Sequence, residues 1–151
     1  MESVIELERT IDLSPNFALG HYTLAFVAAQ DGDPLAAIAA ADRSRALSPF
    51  DPLLFGMLGA RAIAMVRLGR YREAAESATR AAAQPNAHAH IQAVAAYTLA
   101  LAGELDEARA HADAARRLLP GYSLAHFQQA FRLDEAGAAC FSEGARRLGG
   151  T

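Results

Sequence analysis

Prolines recur at positions 15, 49, 85 and 120, spaced by 34, 36 and 35 residues, and Gly32, Gly69, Gly103 and, less clearly, Gly137 fall between them. Proline cannot continue a helix that needs its N–H, and glycine tolerates the left-handed conformation that ends one. Each interval therefore reads as proline, one helix, glycine, one helix, proline. The second half of the interval is written nearly twice over. With Gly69 and Gly103 aligned, Tyr71 answers Leu105, Glu73 answers Glu107, and Ala74, Ala78 and Ala81 answer Ala108, Ala112 and Ala115. A helix pair of this length cannot bury its own apolar face, so successive pairs must stack on one another.

The apolar spacing inside the intervals is helical. Phe17, Leu24, Ala25 and Ala28 share one stripe, and Ile91, Ala95, Ala96 and Leu99 another. Leu105, Ala108, Ala112 and Ala115 form the matching stripe on the partner helix. No segment alternates strictly as a strand would. Asp33-Pro34 and Asp51-Pro52 each supply a cap followed by a proline just inside a helix start. Helices are predicted near 2–12, 16–30, 34–47, 52–68, 71–84, 87–102, 105–118, 122–135 and 138–148. The fold class is all-α.

Composition narrows the function. Hydrophobic residues make up 52% of the 151 residues, enough for a core, and much of that share is alanine, which suits close-packed helices. All 14 basic residues are arginine, they are spread along the chain, and the net charge is -3. That leaves no electrostatic footprint for nucleic acid. Cys140 is the one cysteine, so no internal disulfide forms and a reducing, cytoplasmic setting is expected. No run approaches the roughly 18 apolar residues of a membrane span. Glu2, Glu6 and Glu8 do not fit a signal peptide.

The pattern resembles the tetratricopeptide repeat over nearly the whole chain. The residues that carry the resemblance are the small residues of each first helix (Ala25, Ala62, Ala96), the inter-helix Gly32, Gly69 and Gly103, the following Tyr71 and Leu105, the second-helix Ala37, Ala74 and Ala108, and the closing prolines. It implies one domain over 1–151, a right-handed superhelix of antiparallel helix pairs. The repeats fall at about 14–48, 49–84, 85–119 and 120–148, the last as a C-terminal cap. Residues 1–13 read as the second helix of a truncated repeat, so the chain is expected to be the C-terminal piece of something longer. A short native protein whose first helix packs as a cap is the rival. The run "LSPFDPLLFGMLGARAIAMVRLGRYREAAESATRA", with "LLPGYSLAHF" and "FSEGARRLGG", is similar to the C-terminal repeat region of bacterial class III adenylate/guanylate cyclases. It is also similar to winged-helix transcriptional regulators that carry such repeats. That likeness implies a bacterial signalling protein with its catalytic or DNA-binding domain upstream, and implies no cyclase activity in these residues.

Two departures stand out. Arg61 falls where other units place Leu24 and Ala95, and Pro49 to Gly69 is about one turn longer than its counterparts. The longer helix is expected to turn Arg61 to solvent with its stem snorkelling, the other reading being a buried charge paired with Asp42 or Glu76. The ending "DEAGAACFSEGARRLGGT" lacks the alanine ladder, as a terminal cap does.

In such a superhelix the first helix of each unit lines the concave side. Its stripes are Leu19, Tyr22, Phe26 and Gln30; Gly59, Ile63 and Arg67; His90, Ala93, Tyr97 and Leu101; and Leu124, Phe127 and Phe131. Leu19, Tyr22, Phe26, Ile63, Arg67, Tyr97, Leu101, Phe127 and Phe131 are the candidate partner-binding residues, the aromatics serving as anchors. Two other readings stay open: Phe26 and Phe131 belong to the core between repeats, or an intramolecular helix fills the groove. The family members that grip a C-terminal carboxylate do so with Lys and Asn, and these positions are apolar here. His88 and His90 are two apart, which puts their rings on different helix faces and not on one as a zinc pair requires. His21, His111 and His126 are scattered, and Cys140 has no neighbouring His, so packing roles are expected. Glu73, Glu76, Glu104, Asp106 and Glu107 sit in first turns, where carboxylates complement the helix dipole. No phosphate loop, nucleophile elbow or CxxC is present. The expected function is protein–protein interaction with a peptide or helix, with no catalysis, cofactor, metal, nucleic acid or membrane. The alternative is self-association that brings upstream domains together, motivated by Val4, Ile5, Leu7 and Ile11.

Overall fold

The computed structural model describes residues 30, 32–47 and 54–149. Seven helices lie among them: α1 (Pro34–Leu47), α2 (Leu54–Arg67), α3 (Tyr71–Ala82), α4 (Ala89–Leu101), α5 (Leu105–Leu118), α6 (Leu124–Ala130) and α7 (Glu135–Arg147). The described residues contain no strand, so the chain is all-α there. The predicted helices 2–12 and 16–30 lie outside the described residues, apart from Gln30.

The two copied turns fold alike. Gly69 has φ 75° and Gly103 φ 89°. Gly69 N–H donates to Val66 O and Arg70 N–H to Met65 O; Gly103 N–H donates to Ala100 O and Glu104 N–H to Leu99 O. Each pair closes a helix end with the carbonyls that the last turn leaves unpaired, in a conformation a side chain disfavours. The turns are so short that α2 and α3, and α4 and α5, pack as antiparallel hairpins. Elsewhere α1 packs on α2, and α3 on α4. The alanine ladder is the seam: Ala74, Ala78, Ala81, Ala108 and Ala115 are fully buried. Asp33 caps α1 as its sequence position suggests, accepting from Leu35 N–H at 3.0 Å.

The last unit departs from the predicted plan. Ser123 opens α6 with a capping box completed by His126. The helix then stops at Ala130, five residues short of the predicted end at 135. Phe131 is extended, and Arg132 N–H donates to Gln30 Oε1 while Asp134 N–H donates to Gln30 O. These bonds satisfy in another way the backbone donors that a continuing helix would have used. Asp134 then caps α7 by accepting from Gly137 N–H at 2.7 Å. Gly137 is thus a helix residue in the first turn of α7 and not the inter-helix glycine of its unit.

Arg61 corrects the expectation of a solvent-facing side chain. It is about three-quarters covered, its Nε lies 3.3 Å from Asp42 Oδ1, and its Nη1 donates to Ser77 Oγ at 2.7 Å. The guanidinium bridges α1, α2 and α3, the paired reading for a charge on the packed side.

A helix-bearing face on the first helices of the pairs

Helices α2 and α4 touch one another, and α7 lies across both. The crossing is close because α7 turns a narrow stripe inward: Gly137, Phe141, Gly144 and Ala145 are buried, with Leu148 half-buried beyond them. Gly137, Phe141, Gly144 and Leu148 are spaced by four, three and four residues, and Ala145 lies four beyond Phe141, which keeps them all on one helix face. A Cβ on Gly144 would stand 2.7 Å from Tyr97 O, so only glycine lets the two backbones meet there.

The charged contacts that α7 makes with the helices beneath it fall at its ends. Arg67 Nη2 and Asp134 Oδ2 are 2.8 Å apart, with the Arg67 side chain only 8% exposed. At the other end Arg147 Nη1 donates to Leu101 O at 3.1 Å and Ala100 O at 3.4 Å. These carbonyls belong to the last turn of α4, where a cation also complements the helix dipole. Between the ends, Tyr71 Oη and Cys140 Sγ lie 3.7 Å apart, and this contact, with burial, raises the Tyr71 phenol above its ordinary pKa. On the outer side Glu143 takes hydrogen bonds from Arg146 and Arg147, which hold its carboxyl down at about 2.

A string of rings runs beneath. Phe55 meets His88 edge-on at 5.3 Å, His88 meets His90 at 5.6 Å, and His90 meets Phe131 at 6.1 Å. Phe131 then meets Phe127 at 4.8 Å, and Phe127 meets both Tyr97 at 5.0 Å and Phe141 at 4.9 Å. Such offsets and edge contacts suit the ring quadrupoles. Tyr122 joins from the side, its Oη 2.8 Å from His90 Nδ1 and its ring stacked on His126. Burial pushes Tyr97 up to about 12 and lowers His88 and His90 below the usual imidazole value. His111, also lowered by burial, pairs with Gln92. A cavity of about 220 Å³ at the end of the string is lined among the described residues by Phe55, Gly56, His88, His90, Ile91, Ala130 and Phe131.

Leu19, Tyr22 and Phe26 lie outside the described residues. Ile63, Tyr97, Leu101, Phe127 and Phe131 are all buried, and Arg67 nearly so. Arg67, Tyr97 and Leu101 meet α7 directly, and Phe127 meets it through Phe141. Phe131 sits at the bend before α7, and Ile63 lies in the core. Among the described residues this face is therefore not an open aromatic groove: α7 packs over it, as in the reading in which an intramolecular helix fills the groove. Asp134, Phe141, Gly144 and Arg147 were missed as parts of this face. For Phe141 and Gly144 the signal is the Gly137, Phe141, Gly144, Leu148 stripe, a second packed surface on a helix read as a plain cap; Asp134 and Arg147 flank it, and their partners lie 46 to 67 residues away.

Among the described residues no group of three or more His, Cys, Asp and Glu is placed to hold a metal ion, and no helix is long and apolar enough to cross a membrane. No family model matches the sequence, and no curated protein is detectably similar to it.

Proposed function

We propose that this chain is a protein-interaction module of tetratricopeptide-like hairpins, which takes a helical segment of a partner on the face of α2 and α4. The observation that carries this reading is α7 itself: a helix already sits on that face, held by a part-buried ion pair, ring packing and a backbone-close crossing. The period supports the repeat arrangement, since α3 and α5 begin at Tyr71 and Leu105, 34 residues apart, and α4 and α6 at Ala89 and Leu124, 35 residues apart. By the sequence likeness, the module serves as the C-terminal regulatory part of a larger bacterial cytoplasmic signalling protein, and catalysis belongs to an upstream domain.

The test is position-specific photo-cross-linking in source cells. A photoreactive residue at Tyr71, beside α7, is compared with the same residue at Leu35 and Glu76, exposed sites on α1 and α3. Cross-links from Tyr71 alone to one helical segment of another protein support the reading. Cross-links from Leu35 or Glu76 alone put the interaction on another surface and defeat it.

A further inference from the structure

We infer that α7 is a replaceable occupant of the α2–α4 face, and that this face fits a partner helix carrying α7's own chemistry; the inference rests on the function proposed above. The seat has four requirements. Arg67 takes a carboxylate at the helix start, as Asp134 supplies at 2.8 Å. Phe127 and Tyr97 take a ring two turns later, as Phe141 supplies. Tyr97 O admits only glycine at the next crossing point, as Gly144 supplies. The carbonyls of Ala100 and Leu101 take a cation one turn beyond, as Arg147 supplies. The partner segment is thus an amphipathic helix with Asp or Glu, an aromatic seven residues on, glycine three further and Arg three further still.

The way α7 is tied down makes it replaceable. Residues 131–134 before it are non-helical, so α7 can leave without unwinding α6, at the cost of the bonds from Arg132 and Asp134 N–H to Gln30. Its contacts with Arg67, Tyr71, Ala100 and Leu101 join residues 46 to 69 apart in sequence, so a separate chain can supply them equally well. The hairpins beneath close on their own alanine seam, with Ala74, Ala78 and Ala108 fully buried. Off the face, α7 keeps its Asp134 cap and its Glu143–Arg146–Arg147 cluster, both internal to the segment. Tethering gives the internal helix a high effective concentration, so an incoming helix competes only when it binds better or when α7 is weakened.

Residue-resolved native hydrogen exchange on the full chain tests the first half. A synthetic peptide of residues 132–149, added to the full chain and to a Gly144→Val full chain, tests the second. The amides of α7 are expected to exchange at lower opening cost than those of α4. The peptide is expected to bind the Gly144→Val chain at least about tenfold tighter than the unsubstituted one, because the internal competitor is weakened there. Opening of α7 and α4 as one unit makes α7 permanent core and overturns the inference, while leaving an interaction module that works through another surface. Early opening of α7 with no peptide bound by either chain shows that the face does not accept a helix, and the proposed function falls with the inference. Should Gly144→Val not fold, Arg147→Gln, altered at an exposed side chain, takes its place with the same two outcomes.

Discussion

Replacing Gly144 by alanine tests the docking of α7 by the sign of its effect. In a helix interior exposed to water, Gly→Ala stabilises by about 1 kcal/mol, because glycine loses more backbone freedom on folding. In the docked helix the new Cβ would lie 2.7 Å from Tyr97 O and 3.2 Å from Tyr97 Cβ. The first of these atoms is backbone in the middle of α4 and cannot turn aside, so α7 must move outward and loosen Phe141 from Phe127. Overpacking of this kind costs about 1–3 kcal/mol, and contact with backbone favours the upper half of that range. Subtracting the helix-propensity gain leaves a net loss of about 1–2 kcal/mol. For a chain of this size that lowers the melting temperature by roughly 2–8 °C. Urea unfolding followed by circular dichroism gives the free energy directly. The exposed Ala139→Gly in the same helix is the control, with an expected loss of about 1 kcal/mol from propensity alone. Should Gly144→Ala raise the urea midpoint, α7 does not lie against α4 and the crossing geometry is wrong.

Asp134→Ala breaks the ion pair to the nearly buried Arg67 and removes the α7 cap, and should cost about 2–4 kcal/mol in urea unfolding. Asp106→Ala, whose pair with Arg109 is exposed, should leave the urea midpoint nearly unchanged. The imidazoles of His88, His90 and His111 are all lowered by burial, so between the unfolded value near 6.5 and their lower folded values the unfolded chain binds more protons. Stability should therefore fall as pH drops below about 6.5 and level off under the folded values. A urea midpoint unchanged across that window, or histidine resonances titrating at or above the usual value, would contradict it. The Tyr97 phenol should stay protonated until about 12, so an absorbance titration is expected to show at least one late tyrosine in the native protein. Light scattering over a dilution series should show a monomer if α7 seats on its own chain, whereas a dimer would favour self-association.

The hairpin fold was readable because its signals are local. Gly69 and Gly103 stand where a left-handed residue closes a helix, and Ala74, Ala78 and Ala81 recur where two backbones must approach. The candidate residues were found for the same reason, since one helix face follows from spacing. What spacing could not give is what covers that face. Gly137 carries the same letter as the turn glycines, yet packs on the stem of Arg67, a residue 70 positions earlier. The early end of α6 depends on bonds that Arg132 and Asp134 N–H donate to Gln30, 102 residues before Arg132. For Arg61 the sequence offered Asp42 as a partner in the second of two readings, but choosing between them needed the packing of three helices, which also brings in Ser77. Pairings across such distances are decided by the whole packed arrangement, where local propensity is only a weak guide.

The most direct test of α7 as the helix on the α2–α4 face is a paramagnetic label on α7, at Ala139→Cys in a Cys140→Ser chain, with the amide signals of the other helices observed by NMR. Ala139 is exposed, so the label leaves the buried stripe intact. Strong broadening is expected for amides near Tyr71 and Tyr97, with those of the distant half of α1 unaffected. Broadening confined to α6 and α7 themselves would mean that α7 stands clear of the face, and the account of a helix-bearing groove would be wrong.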